Sequence, residues 1–232
     1  MQDVDAIRNI LKRAAHIPAE RRTVFYKTGK GDYAEHDRFL GVSVPNVRKI
    51  AKEFRDLPLE VINDLMASPF NEERLLALII LVRQYDRGDR EKQREIFAFY
   101  LENRQFVNNW NLVDASAHLI LGRHLFTSDK SMLLTFAKSE SLWERRIAIV
   151  STWYFITNDE LSWTFKLAKV MLKDEHDLIH KAVGWMLREA GKRDQTQLVR
   201  FLEQHAPHMP RTMLRYAIEK FPEPQRKQYL TK

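Results

Sequence analysis

Five stretches of this sequence resemble one another: NEERLLALIILV (71–82), WNLVDASAHLIL (110–121), LWERRIAIVSTW (142–153), IHKAVGWMLREA (179–190) and RTMLRYAIEKF (211–221). Their apolar residues recur three and four positions apart, as in Leu75, Leu78, Ile79 and Val82, or Ile147, Val150, Trp153 and Tyr154. That spacing marks one face of a helix. A small residue falls at a similar place in each stretch: Ala77, Ala115, Ala148, Gly184 and Ala217. The separations are roughly 33 to 38 residues, the period of paired-helix arrays. Partner helices such as DREKQREIFAFYLEN and DELSWTFKLAKVML lie between them. One helix and its partner cannot bury an apolar face alone, whereas stacked pairs share a continuous core.

The period therefore predicts an all-α chain, an α-solenoid of HEAT-like helical repeats, with an irregular helical bundle as the alternative. Residues 1–232 read as a single repeat domain, with 1–56 as N-terminal helices and a glycine-containing loop packed on the array. Seven Gly, eight Pro and 44% hydrophobic residues suit helices with ample core better than a sandwich or barrel. Asn71 and Ser141 stand where helix caps belong. RGD (87–89), TND (157–159) and GKRD (191–194) read as stops. The segment YKTGKGDYAEHDRFLG (26–41) is a loop, and a helix restarts near Pro45. Its TGKGD lacks the spacing and the preceding strand of a phosphate loop.

No window approaches 18 uninterrupted apolar residues, so no membrane span is expected. The start, MQDVDAIRNILKRAAH, lacks the basic beginning and apolar run of a secretion signal. With no Cys there is no thiolate metal site and no cysteine nucleophile, and a cytoplasmic protein is expected. The net charge of +7 permits a polyanionic partner without requiring one.

Asp114 sits in the apolar run NNWNLVDASAHLILG (108–122), four residues after Trp110 and so on the same helix face. Lys181 and Trp185 share that spacing, and Arg145 and Arg146 point about 100° apart, so that one can face a ligand while the other pairs elsewhere. Aligned inner helices would gather a lone carboxylate, two Trp rings and several cations. Cations suit a phosphate backbone, and Trp faces suit a flat or cationic base. Plainer roles stand beside these. Asn111 and Asp114 form a capping-box pattern, Asp114 is four residues from His118, and a Trp at helical spacing is ordinary core. His176 and His180 have the spacing of a metal pair but lack a clear third ligand, and no metal or other cofactor is expected.

Four segments together resemble the AlkD-like DNA alkylation-repair glycosylases, which are built of HEAT-like repeats. They are FYKTGKGDYAEHDRFLGVSVPNVRKIAK, NNWNLVDASAHLILG, SLWERRIAIVSTWYF and IHKAVGWMLREAGK, in matching order and spacing. The resemblance implies a right-handed α-solenoid with a concave basic face. It also implies a monofunctional glycosylase that excises N3- or N7-alkylated purines from double-stranded DNA without deep base flipping. Asp114 matches the catalytic carboxylate, Trp110 and Trp185 the aromatics beside it, Arg146 a DNA-contacting arginine and Tyr26 an N-terminal aromatic near the lesion. Lys181 is a further DNA-binding candidate. The implied protein is a monomer, nucleoid-associated when on DNA, with neither membrane nor metal partner. Two positions depart from the family: Asn109 stands where some members carry a second Trp, and Asn111 where many carry Asp. The rival expectations are a non-excising DNA-binding repeat protein and a HEAT-type scaffold for protein partners.

Overall fold

The computed structural model describes residues 4–231. Their regular elements are helices, and the β pairing among them is an isolated parallel bridge between Arg38 and Phe70. None of their helices is long and apolar enough to cross a membrane. The chain forms two compact units, one up to Ser116 and one from Ala117 onward.

The first unit runs α1 (Val4–Arg13), α2 (Ala19–Tyr26), α3 (Val44–Glu53), α4 (Leu59–Met66), α5 (Asn71–Arg87), α6 (Arg90–Glu102), a 3₁₀ turn (Arg104–Phe106) and α7 (Trp110–Ser116). Helix α5 is its axis and packs against α3, α4, α6 and α7. Leu75, Leu76, Leu78, Ile80 and Leu81 are buried on all sides of it, so α5 has a core all round rather than one wet face.

The start of α5 is unusual. Asn71, Glu72, Glu73 and Arg74 are each at most 3% exposed. Buried charges are tolerated only when paired and hydrogen-bonded, and each of these is. Glu72 accepts the backbone N–H groups of Leu40 (2.9 Å), Gly41 (2.9 Å) and Val42 (3.2 Å). Glu73 accepts from Arg8 Nε of α1 at 3.1 Å. Arg74 pairs with buried Asp37 and donates to Ser68 O at 2.7 Å. Asn71 was expected to cap α5. Its amide instead donates to Asp37 (2.9 Å) and exchanges bonds with Asn111 of α7, while Phe70 holds the cap position without a side-chain bond.

In the second unit a π-helical turn (His118–Gly122) leads into α8 (Arg123–Leu125), then α9 (Ser131–Ala137), α10 (Leu142–Thr157), α11 (Ser162–Val170), α12 (Asp177–Arg193), α13 (Gln195–His205), a 3₁₀ turn (Ala206–His208), α14 (Arg211–Ala217) and α15 (Glu223–Leu230). Helix α10 packs on the π turn, α9, α11 and α12, and α12 packs on α13 and α14. This stacking of successive helices is the α-solenoid type of fold anticipated from the repeat. Ser141 caps α10 as expected, and the stops at Arg87, Thr157 and Arg193 fall within the breaker segments.

Two glycines allow close helix crossings. A Cβ on Gly184 would strike the Met213 carbonyl and Tyr216 of α14. One on Gly122 would strike the Ser151 carbonyl of α10. Gly122 lies two turns beyond Ala115, the small residue of that stretch that the alignment picks out. There the helix widens, with Gly122 N–H donating to Ala117 O, five residues back, at 2.9 Å.

Asp37→Ala leaves Arg74 buried without its counter-charge. It is expected to cost about 3–5 kcal/mol, read as a lower urea midpoint with unchanged helix content in buffer. Gly122→Ala is expected to cost about 1–3 kcal/mol by overpacking in the same measurement.

Candidate functional site

Helix α7 starts where Asn109 Oδ1 accepts the Trp110 N–H at 2.7 Å. The cap function belongs to Asn109 and not to Asn111, whose side chain is buried and bonded to Asn71 at 2.7 Å. The capping-box expectation for Asn111 is therefore corrected. Asn109 also donates to Asp37 at 2.6 Å. Both positions that depart from the family pattern thus belong to the network around Asp37. It anchors α7 to the start of α5 and to the loop after α2.

On that anchored helix Trp110 and the half-buried Asp114 lie one turn apart. Trp110 stacks on Tyr26 of α2, with centroids 5.2 Å apart and planes 19° apart. Tyr26 stacks in turn on Phe39 at 4.6 Å and 19°. The structure therefore brings Tyr26 and Trp110 together, but Tyr26 is only 4% exposed and acts as backing for the indole. Burial pushes its phenol pKa up, against the opposing pull of Arg22. The crevice beneath Tyr26, lined by Arg22, Glu72, Asn71 and Asn111 among others, has no room for a water molecule. Phe25, which the sequence reading passed over, meets Tyr26 edge-on at 5.0 Å and Trp110 at 5.6 Å.

The second unit holds Arg146, Lys181 and Trp185. Arg146 is 5% exposed and donates to the Leu178 carbonyl of α12 at 2.7 Å. Arg145 reaches Asp174 at 2.6 Å and the carbonyls of Ser139 and Glu140. Both arginines thus reach the segment 174–178. Lys181 pairs with Asp177 at 2.7 Å. Burial works against the Asp177 carboxylate, but the hydrogen bond and charge of Lys181 hold its pKa below the ordinary value.

Trp185 is half-buried and lies edge-on to Trp153 of α10, 4.8 Å away at 64°. Trp153 lies 4.5 Å from the ring of His118 on the π turn. This His118–Trp153–Trp185 row was not legible as a site, because Trp153 also fits the apolar stripe of α10. His118 Nδ1 is buried without a hydrogen-bond partner, and burial lowers the imidazole pKa to about 4. His176 caps α12 by accepting the Leu178 N–H at 3.1 Å, and His180 contacts the Asp174 carbonyl. Among the described residues no group of three or more His, Asp or Glu is arranged to hold a metal ion.

A sequence profile described as "DNA alkylation repair enzyme" matches residues 10–221. The chain belongs to the DNA alkylation repair enzyme family. The family assignment gives it a DNA-repair role and DNA as the substrate. A solved structure described as a predicted DNA alkylation repair enzyme from Enterococcus faecalis superposes with a TM-score of 0.67. The match covers 88% of this chain and 95% of that one at 16% identity, and it establishes the shared helical fold. No protein of curated function matches the sequence.

The neutral imidazole of His118 in this DNA alkylation repair protein makes its stability depend on pH. The folded pKa lies below the ordinary 6.5, so the contribution is fully present above about pH 6.5. It is lost as pH falls toward 4, because the unfolded chain takes up a proton that the folded chain refuses. Unfolding by guanidinium is expected to show stability falling by on the order of 1–2 kcal/mol more from pH 7 to pH 5 in wild type than in His118→Phe. Equal slopes in the two proteins would rule the contribution out.

Proposed function

We infer that the protein is a monofunctional DNA glycosylase. It hydrolyses the N-glycosidic bond of positively charged N3- or N7-alkylated purines in duplex DNA. The observation that carries this is the pairing of Asp114 with Trp110 on α7, one turn apart, with the indole backed by the Tyr26–Phe39 stack. An alkylated purine already carries positive charge and is a good leaving group, so the enzyme has little to do at the base. Cleavage builds oxocarbenium character on the sugar. A fixed carboxylate lowers the energy of that charge and orients the attacking water. Asp114 takes this role. Trp110 offers an aromatic face to the deoxyribose and the cationic nucleotide, and Tyr26 acts through Trp110.

In the second unit Trp185, Arg146 and Lys181 are the DNA-binding residues of the proposal, the indole as an aromatic face and the two cations for phosphates. The right-handed winding and basic concave face implied by the resemblance, and a monomeric state, belong to the same proposal. The chemistry asks for no organic cofactor and no metal.

The deciding experiment is base release from methylated duplex DNA. Wild type is expected to release N3-methyladenine or N7-methylguanine, and Asp114→Asn to be slower by about 10²–10³-fold with DNA affinity retained. A folded wild type that binds DNA with strong salt dependence yet releases no base would instead be a non-excising DNA-binding protein.

A further inference from the structure

Every charged residue of α11 is a cation. Residues 161–173 hold Lys166, Lys169 and Lys173 and no acid. Lys166, Lys169 and Val170 are exposed on the helix, Lys173 is exposed in the turn that follows, and Trp163 is half-buried. Positions 163, 166 and 170 fall three and four apart, so Trp163, Lys166 and Val170 form one stripe, with Lys169 beside it. Thr164, Leu167 and Ala168, on the other side of the helix, are buried, and α11 packs on α10 and α12.

The cations of this stripe are unspent. Among the described residues no carboxylate lies within ion-pair distance of Lys166, Lys169 or Lys173. The acids on either side are engaged elsewhere: Asp159 with Arg193 at 3.5 Å, Asp174 with Arg145 at 2.6 Å and Asp177 with Lys181 at 2.7 Å. Glu160 accepts the Ser162 N–H at 2.9 Å at the start of α11. Glu175, two residues after Lys173, is exposed and ends the basic stretch. Just after α9, Lys138 and Glu140 are exposed with one charge of each sign. On α13, burial first and the charge of Lys169 next hold the His205 imidazole below its ordinary pKa. The stripe is apolar as well as basic. Val170, at 38%, is the most exposed large apolar side chain described in the second unit. Lys166 Nζ lies 4.3 Å from the centroid of the Trp163 ring, so the indole already holds the ammonium in place.

We propose that this face of α11 docks an acidic, amphipathic segment of a protein partner. Carboxylates of the partner pair with Lys166, Lys169 and Lys173, and an apolar side chain between them packs on Val170 and the Trp163 ring. The occupant is identified by charge complementarity. A phosphate backbone would satisfy the lysines but leave Val170 in water. A second copy of this chain carries the same net charge of +7 and is repelled. The residues assigned above to DNA in this unit stand on α10 and α12 and none on α11, so the docking does not depend on the excision reading.

The test uses two fluorescein-labelled peptides of Glu and Leu with equal composition. One is patterned as a helix with an acidic face bordered by Leu, and the other is scrambled. Undamaged duplex DNA is present at saturation, so that the DNA-binding cations are occupied. Wild type is expected to bind the patterned peptide about tenfold more tightly than the scrambled one, with affinity falling as salt rises. Lys166→Glu/Lys169→Glu is expected to lose about tenfold in affinity for the patterned peptide, and Val170→Ser severalfold. Both variants should keep the wild-type melting temperature, DNA affinity and base release. If the charge reversal lowers the melting temperature, Lys166→Gln/Lys169→Gln replaces it, with a smaller loss expected. Equal binding of the two peptides by wild type, or of the patterned peptide by wild type and the charge-changed variant, overturns the proposal. So does a loss of DNA affinity in that variant, which assigns the face to DNA, or a wild-type dimer that the variant dissolves, which assigns it to a second copy.

Discussion

Asp37 is a carboxylate almost without water, and the first unit is arranged around keeping it satisfied. Arg74 supplies the counter-charge, and the side chains of Asn71 and Asn109 donate to it. These partners come from α5 and from the start of α7, and Asp37 itself comes from the loop after α2. One residue away, Glu72 holds three consecutive backbone N–H groups of the same loop. A loop that would otherwise be loose is thereby fixed to two helices. Removing any one member leaves a buried group unpaired, which costs far more than a surface bond is worth. The network is therefore all-or-none in character, and the positions of Tyr26, Trp110 and Asp114 inherit its rigidity.

That rigidity matters for the chemistry proposed. A carboxylate stabilises a developing cation only if it is already in place when the charge appears. Asp114 lies one turn from Trp110, and the start of that turn is pinned through Asn109 and Asn111. A Trp at position 109 would enlarge the aromatic face but remove the cap on α7 and a donor to Asp37. This chain has used the position for anchoring. The indole is instead broadened from behind, by a stack of Tyr26 and Phe39 that α2 and the following loop deliver.

The second unit handles its polar groups differently. Arg145 and Arg146 look in sequence like one structural and one functional arginine, yet both reach the segment that begins α12. The aromatic row His118–Trp153–Trp185 spans three helical elements, the π turn, α10 and α12. It depends on the π turn, whose extra residue re-phases the helix at the place where Gly122 lets α10 come close. His118 remains neutral within that row because burial disfavours its charge.

The helical class, the stacked pairs and most helix ends were legible in the sequence. They depend on local signals: a 3.6-residue apolar period, capping residues such as Ser141, and breakers such as TND. The joint placement of Trp110 and Asp114 on one face was legible for the same reason, since i and i+4 are neighbours on any helix. Tertiary structure alone decided the rest. Asn71 and Asn111 each carry a good capping signal and each serves the buried network instead, because a partner some 40 residues away competes with the local backbone. Tyr26 and Phe25 are adjacent in sequence and equally aromatic. One is buried in a ring stack and the other faces water, a distinction set by how α2 docks. Sequence fixes which groups a chain possesses and their spacing along a helix. Long-range packing decides which of them find partners, and so which remain to meet a ligand.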